Sequence, residues 1–580
     1  MFGNWGSTLK KNSLTLILSI LLPTLGISNP VMAAEQIHAS YSPLEISIPI
    51  SALESYAKYG IINADLAGYY QYLPANKLQE FRKILIQPLR ISPAVTAQFL
   101  DTQQGKFILQ RLAELIKTKS DYLEFASGYL RTALIAAAAE PEGLNLLNLL
   151  RKYPQNNIHI DVASSMKIAG ELEKMISDTE KTISALIQMS KLEAAEISKP
   201  NFLQLPNSAI FSPKQQTIKF FDAIRNRHLT TDIYIPNTQN SAPVIVISHG
   251  LGLDSSNFRY LANHLVHNGF AVIIPNHPGS DAKQLQSLIK GNSNQVTQPN
   301  EFKDRPLDIK YILDQLESDL QFQSRLNLQQ VGIFGQSLGG YTALALAGAK
   351  INFSQLQADC HPDKLQNTWN MSLLLQCRAL ELPNQSGQEY DFQDTRIKAA
   401  IAVNPITSSI FGQAGLSQIH TPVMIVGSSE DTVAPTLYEQ IVPFSWITHP
   451  QKYLVMLLGG THFSTIGNSN PGSTQTALST DMVGDASQAH DYMNALSLPF
   501  FQTYIAGKPE YLSYLNAAYA QSISSQSLGL NLVQSLDHLK LAPVLGNLQE
   551  TNSVRKRLSH TIVHFGFWLL GIGVSLLHLI

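Results

Sequence analysis

The sequence predicts an α/β fold, a doubly wound and mostly parallel sheet with helices on both faces, preceded by a mainly α-helical domain. Three observations predict it. Between residues 216 and 457, short apolar runs alternate with stretches of helical periodicity. One of these runs, residues 331–334, leads directly into Gly335-Gln336-Ser337-Leu338-Gly339 and then a small-residue helix pattern over 341–349. Upstream, residues 35–200 carry their apolar side chains almost entirely at helical spacing.

In chain order, residues 1–34 read as a signal peptide. Lys10 and Lys11 precede an uncharged apolar stretch over 14–27, and Val31-Met32-Ala33-Ala34 offers small residues for cleavage. The stretch is short for a membrane span, so cleavage after Ala33 or Ala34 is expected, with an uncleaved anchor as the alternative. In the 35–200 domain, residues 46–50 alternate as a brief strand, and Ser51-Ala52-Leu53-Glu54 has the form of a capping box. Helices are expected over 78–89, 95–116, 122–139, 143–151 and 164–197. The last would bury Ile168, Leu172, Met175, Ile183, Leu186 and Met189. A Pro- and Asn-rich boundary over 199–213 opens a catalytic domain over 201–520. Strands are expected over 216–221, 229–235, 244–247, 271–274, 331–334, 399–403, 423–426 and 453–457, with helices over 258–267 and 307–320. Residues 351–395 break the alternation as an insertion near the site rim, and 521–560 form a C-terminal extension with a polar, loose stretch at 522–527.

Residues 561–580 carry no charged side chain and are just long enough to span a bilayer. The cluster Arg555-Lys556-Arg557 would then lie outside in an exported protein, against the positive-inside preference. An anchor and an apolar helix packed on the protein or on a membrane surface both stay open.

Composition excludes several function classes. A net charge of −2 gives no reason to expect nucleic acid as a partner. Charged residues make up only 14% of the chain, low for a soluble protein, and point toward an envelope or lipid setting. The two cysteines, Cys360 and Cys377, lie in the insertion and suggest one disulfide in an exported protein, two free buried thiols being the alternative. His264 and His267 lack further ligands at metal spacing, so neither metal nor cofactor is expected.

The chemistry resides in five short segments. Ser337 between two glycines, at a strand-to-helix junction, has the form of a nucleophile elbow; its cramped turn leaves no room for side chains at 335 and 339. The base is expected at His462, in Leu457-Leu-Gly-Gly-Thr-His462 after the last parallel strand. The acid that orients it is expected at Asp431, in Gly427-Ser-Ser-Glu-Asp431, with Glu430 as competitor. Backbone N–H groups of Leu338 and Leu251 are the candidate oxyanion donors, with Gly250 and Gly252 permitting close approach and His249 fixing the loop by a hydrogen bond. His249, Gly250, His277 and Gln336 are expected around the pocket, His277 lying in Asn276-His-Pro-Gly-Ser-Asp281, which also reads as a structural turn.

With these segments in view, residues from about 210 to 510 resemble the dienelactone-hydrolase-like and platelet-activating-factor-acetylhydrolase-like branch of the α/β-hydrolases. The matching segments are Ser-His-Gly-Leu-Gly, Asn-His-Pro-Gly-Ser, Gly-Gln-Ser-Leu-Gly-Gly, Gly-Ser-Ser-Glu-Asp-Thr-Val-Ala-Pro and Gly-Gly-Thr-His-Phe-Ser. The signal and helical N-terminal segment resemble an exported bacterial group whose N-terminal domain has no assigned function. Dienelactone hydrolases proper carry Cys where this chain has Ser337. The acetylhydrolases carry their acid after the strand following the elbow, where this chain has Asn404, which leaves the role to Asp431.

The expected activity is that of an exported serine hydrolase, in the periplasm, cell envelope or medium. It would cleave apolar or lipid-like carboxylic esters through a Ser337-Asp431-His462 triad. Alternatives are a phospholipid acetylhydrolase or lipase, a peptidase or acyltransferase, and a non-catalytic envelope binding module. The expected partner is a small-molecule or lipid ester, with membrane contact through the C-terminal tail. Oligomeric state stays open.

Overall fold

Hydrophobic alternation in the strands decides the architecture. In strand β7 (Ala242–Ser248), Val244 and Val246 belong to one buried cluster and Ile245 and Ile247 to another, because successive side chains point to opposite faces. A strand apolar on both faces must be covered twice, and a doubly wound sheet does that. The computed structural model describes residues 33–41, 44–70, 75–89, 91–117, 123–197, 213–383, 390–468 and 486–536. Most of the signal segment, residues 198–212 of the interdomain boundary, the extension beyond 536 and the apolar tail lie outside the described residues.

The chain forms two compact units, and their boundary is not at residue 200. One unit comprises the described residues up to Arg90 with Ala113–Val162; the other comprises Ile91–Leu112 with the described residues from Ala163 on. Two pieces of the expected helical domain therefore belong with the large sheet.

The first unit is less purely helical than its periodicity suggests. It contains a four-stranded sheet of order β2-β1-β4-β3, formed by β1 (Gln36–Tyr41), β2 (Leu44–Pro49), β3 (Ile116–Lys117) and β4 (Asn157–Asp161). Strands this short leave little alternation to read, and β4 pairs in parallel with β1 from far along the chain. The expected capping box does not form. Strand β2 pairs through Pro49, the helix starts at Ile50, and Ser51 is already inside it; Glu54 instead pairs with Lys58 at 2.8 Å.

In the second unit a nine-stranded sheet has the order β13-β12-β11-β10-β9-β7-β8-β6-β5. Its strands besides β7 are β5 (Pro213–Asp222), β6 (Arg227–Pro236), β8 (Ala271–Pro275), β9 (Leu326–Gln336), β10 (Ile397–Val403), β11 (Val423–Ser428), β12 (Lys452–Leu458) and β13 (Gly529–Val533). Strands β8, β7, β9, β10, β11 and β12 run parallel, and antiparallel strands close both edges. Strand β13 lies past 520, so the sheet domain extends beyond its expected end, and part of the extension is an ordered edge.

The long helix Val162–Glu196 packs Ile183, Leu186 and Met189 into the sheet core, whereas Leu172 and Met175 are only half-buried. The helix expected over 95–116 is two helices, Pro93–Leu100 and Gln103–Ala113, because Thr102 accepts from the Gly105 N–H and starts the second. The insertion folds as short helices, Phe353–Asp359, Pro362–Leu365 and Met371–Cys377, and a Cys360–Cys377 disulfide ties the first to the third.

Candidate active site

Strand β9 runs into the helix Leu338–Leu346 with no intervening loop, and Ser337 turns the corner with φ 55° and ψ −117°. A side chain there points out of the turn, and the non-glycine residue bears the strain. The flanking glycines are sterically required. A Cβ at Gly335 would sit 2.0 Å from the Gly339 carbonyl oxygen, and one at Gly339 would sit 2.0 Å from that of Ser248.

His462 and Asp431 converge on this corner from the ends of β12 and β11. His462 Nε2 lies 2.9 Å from Ser337 Oγ, and His462 Nδ1 lies 2.7 Å from Asp431 Oδ2. The other Asp431 oxygen accepts from the backbone N–H groups of Val433 and Ala434 at 2.9 and 2.7 Å. With Nδ1–H donating to the carboxylate, Nε2 is left to accept the serine proton. Glu430, the competing acid, is exposed, and its own N–H donates to the Gly460 carbonyl. Asn404 holds the histidine loop in place. Its Nδ2 donates to Ser428 Oγ at 3.1 Å and to the His462 carbonyl at 3.3 Å, and Gln336 Nε2 donates to that same carbonyl at 3.1 Å.

The Leu338 N–H opens the elbow helix and has no intrahelical acceptor. The Leu251 N–H lies in the loop after β7. Its neighbours are fixed: Gly252 N–H donates to the Ser280 carbonyl at 2.8 Å, and the Gly250 carbonyl lies 2.7 Å from His249 Nδ1.

A cavity of about 320 Å³ opens beside Ser337 and His462. Leu251, Leu285, Ile289, Val296, Leu375 and Ile466 give it an apolar wall, and among the described residues no Asp, Glu, Lys or Arg lines it. Phe99 and Gln104 also line it, as do Met371 and Ser372 from the disulfide-tied helix; none of these four was singled out from sequence. The pocket expectations need correction. Gln336 is on the wall, but His249, Gly250 and His277 are not; the two imidazoles turn instead to the Gly250 carbonyl, Ser248 and Asp308.

What lies behind the loop is a polar network that the sequence reading missed. His277 Nδ1 is 3.0 Å from Asp308 Oδ2, and its Nε2 is 3.1 Å from Ser248 Oγ. Arg225 and Arg227 reach Asp308 at 2.8 Å each, and Arg227 also reaches Glu301 at 2.9 Å. Arg305 sits fully buried among them. A signal was available in the sequence: Glu301, Arg305 and Asp308 recur at i, i+4 and i+7, together with Phe302, Ile309 and Ile312, on what should be an apolar helix face. Among the described residues, no group of three or more His, Cys, Asp or Glu could hold a metal ion.

Burial sets the titration of this region. It pushes His249 and His277 well below the ordinary histidine range, with the nearby Arg305 adding to the effect, and pulls His264 down to about 4. Below pH ~6.5 the unfolded chain takes up protons that these folded imidazoles refuse, so their contribution to stability is full above that pH and lost as pH falls. Glu301, raised by burial to about 7, acts in the opposite sense between 4.5 and that value, where the folded chain holds the proton. Asp308 and Asp281 are raised by burial as well, but from 3.8, while burial also lowers His449 and His490, so the lowered imidazoles outnumber the raised carboxyls. The urea midpoint is therefore expected to be lower at about pH 5 than at about pH 7.5. An equal or higher midpoint at the acid pH would contradict this assignment.

Two family models match the chain. Residues 33–161 match one described as an alpha/beta hydrolase of unknown function (DUF1400), and residues 243–373, from β7 through the elbow into the insertion, match the alpha/beta hydrolase fold. No curated protein matches it. The parallel sheet, the elbow and these two matches together show that the chain carries alpha/beta hydrolase domains, which indicate a hydrolase.

Proposed function

We propose that this protein is a serine hydrolase cleaving carboxylic esters with an apolar acyl group. One observation carries the reading: an unbroken hydrogen-bonded chain from Ser337 Oγ through His462 to Asp431, opening onto a cavity whose described lining is mainly apolar and carries no charged side chain. Ser337 Oγ attacks the ester carbonyl carbon while His462 Nε2 takes its proton. The oxyanion is met by the N–H groups of Leu251 and Leu338. The imidazolium then protonates the leaving alkoxide, and the alcohol departs from an acyl-enzyme. Water, deprotonated by the same nitrogen, releases the carboxylic acid.

The cavity size supports a single short or medium acyl chain, since ligand pockets range over about 300–1,000 Å³ and this one falls near the lower end. The dienelactone-hydrolase-like and acetylhydrolase-like segments support the same ester chemistry on Ser337. We further place the enzyme outside the cytoplasm. The signal-like N-terminus and the Cys360–Cys377 disulfide support that location. No helix among the described residues is long and apolar enough to cross a membrane.

The test is a series of p-nitrophenyl esters from acetyl to palmitoyl, alongside matched anilides. The expected kcat/KM peaks in the short-to-medium range, falls for palmitoyl, and exceeds that for each anilide. A maximum at palmitoyl would favour a lipase, and anilide turnover matching the ester would favour a peptidase.

A further inference from the structure

Arg305 presents an energetic puzzle. Its side chain is fully buried, yet no carboxylate lies within ion-pair distance of it among the described residues. The carboxylates of Asp308 and Glu301 are taken by Arg225 and Arg227. Removing a guanidinium from water costs several kcal/mol, and neutral acceptors recover only part of that. Burial brings Arg305 down to about 10, which still leaves it charged at neutral pH. Glu301 and Asp308 favour its charge only through space, so what sets Arg305 apart is the geometry of its hydrogen bonds.

All three guanidinium nitrogens are used. Nε donates to Thr342 Oγ1 at 3.2 Å, and Nη1 to Ser280 Oγ at 2.9 Å. Nη2 donates to the His249 carbonyl and to Ser248 Oγ, the latter at 3.3 Å. Thr342 Oγ1 in turn donates to the Leu338 carbonyl at 2.9 Å. One planar group thus joins the loop that carries Leu251, the 277–281 loop on which Gly252 hangs, and the first turn of the elbow helix that carries Leu338. The His249 ring completes the brace. Its Nε2 accepts from the His277 N–H at 3.1 Å, so the proton must reside on Nδ1 and donate to the Gly250 carbonyl. That carbonyl and the Leu251 N–H belong to the same peptide plane, so holding one aims the other.

We propose that Arg305 is a positioning residue that fixes the spacing of the two oxyanion-donating N–H groups, with the His249 ring aiming the Leu251 donor. The inference rests on the ester-hydrolase reading above. Lysine keeps the charge but presents a single nitrogen, which cannot span acceptors held by three different guanidinium nitrogens, so Arg305→Lys separates folding from positioning. Thr342→Val, which is nearly isosteric, cuts only the tie to the elbow helix.

The experiment combines active-site titration, steady-state kinetics, inhibition by a trifluoromethyl ketone ester analogue, and amide hydrogen exchange of the 249–253 segment. Both variants are expected to unfold cooperatively. Arg305→Lys should lose about 100-fold in kcat per titrated site with KM nearly unchanged, because displacing a reacting geometry by about 1 Å costs that much. Thr342→Val should lose less. Affinity for the tetrahedral-adduct-forming ketone should fall in step with kcat/KM, and exchange over 249–253 should speed up while β11 stays protected. Unchanged kcat per titrated site, or equal losses in kcat and in the number of titratable sites, would reduce Arg305 to a structural role and overturn the proposal. Should the unmodified protein turn over no ester at all, the ester reading fails. The exchange measurement then decides the brace alone: unchanged protection over 249–253 overturns it.

Discussion

Ser337→Ala is expected to lower ester turnover by about 10⁶-fold, with substrate binding little changed and the fold intact. In the proposed mechanism Ser337 Oγ is the atom that forms the acyl bond, and its strained φ of 55° is better tolerated with a small side chain than a large one. His462→Ala should cost nearly as much, because without the Nε2 acceptor at 2.9 Å the hydroxyl keeps its proton. Combining the two should cost little more than either alone, since the residues act as a unit. Asp431→Asn retains the shape but places a donor opposite Nδ1, which favours the wrong imidazole tautomer; a loss of about 10⁴-fold is expected. Steady-state kinetics on the four proteins, with circular dichroism for folding, checks the series. Additive losses in the double variant would show that the histidine acts independently of the serine.

Gly339→Ala is the second large effect. The added methyl would lie 2.0 Å from the Ser248 carbonyl oxygen and 2.8 Å from that of His249, and both are backbone atoms at the end of a central strand. Neither can swing aside, so the elbow must move away from the loop bearing Leu251. Overpacking of this kind costs about 1–3 kcal/mol or more in stability, and the misplaced nucleophile should cost at least about 100-fold in kcat. Gly170→Ala is the contrasting case. It lies exposed in the long helix Val162–Glu196 with nothing within 4 Å of the added carbon, and it should stabilise by about 0.5–1 kcal/mol. Thermal unfolding of both variants checks the pair, and a neutral Gly339→Ala would mean that the elbow packs more loosely than described.

Gly339 also illustrates why the elbow was legible in the sequence. Its own clash is with the distant Ser248 carbonyl, but that of Gly335 is with the Gly339 carbonyl and acts within five residues, and a serine between two glycines at a strand-to-helix junction suits a nucleophile turn far better than an ordinary loop. Asp431 and His462 were legible because each follows a buried parallel strand, and parallel strands deliver their C-terminal ends to one edge. That β7 to β12 form a sheet covered on both faces followed from apolar runs too continuous for a one-sided sheet, whereas their order in it left no such mark.

Tertiary relations were not legible. Strand β13 is five residues long and follows a polar stretch, so its pairing with β12 left no local mark. Phe99 and Gln104 belong to the cavity through folding alone, although they lie over 200 residues from Ser337. Arg305 takes its meaning from acceptors on three separate segments, and the charged positions on an inward helix face were the only trace of it. His277 read more as part of a structural turn than as pocket because its motif is local, while its partner Asp308 is not.

The central claim is that Ser337 carries the acyl group between two half-reactions. The most direct measurement is rapid acid quenching of the protein with p-nitrophenyl butyrate, followed by intact mass and peptide mapping. The account predicts a mass increase of one butyryl group, located on the peptide containing Ser337 and absent from Ser337→Ala. Turnover with no adduct, or an adduct elsewhere that persists in Ser337→Ala, would contradict it.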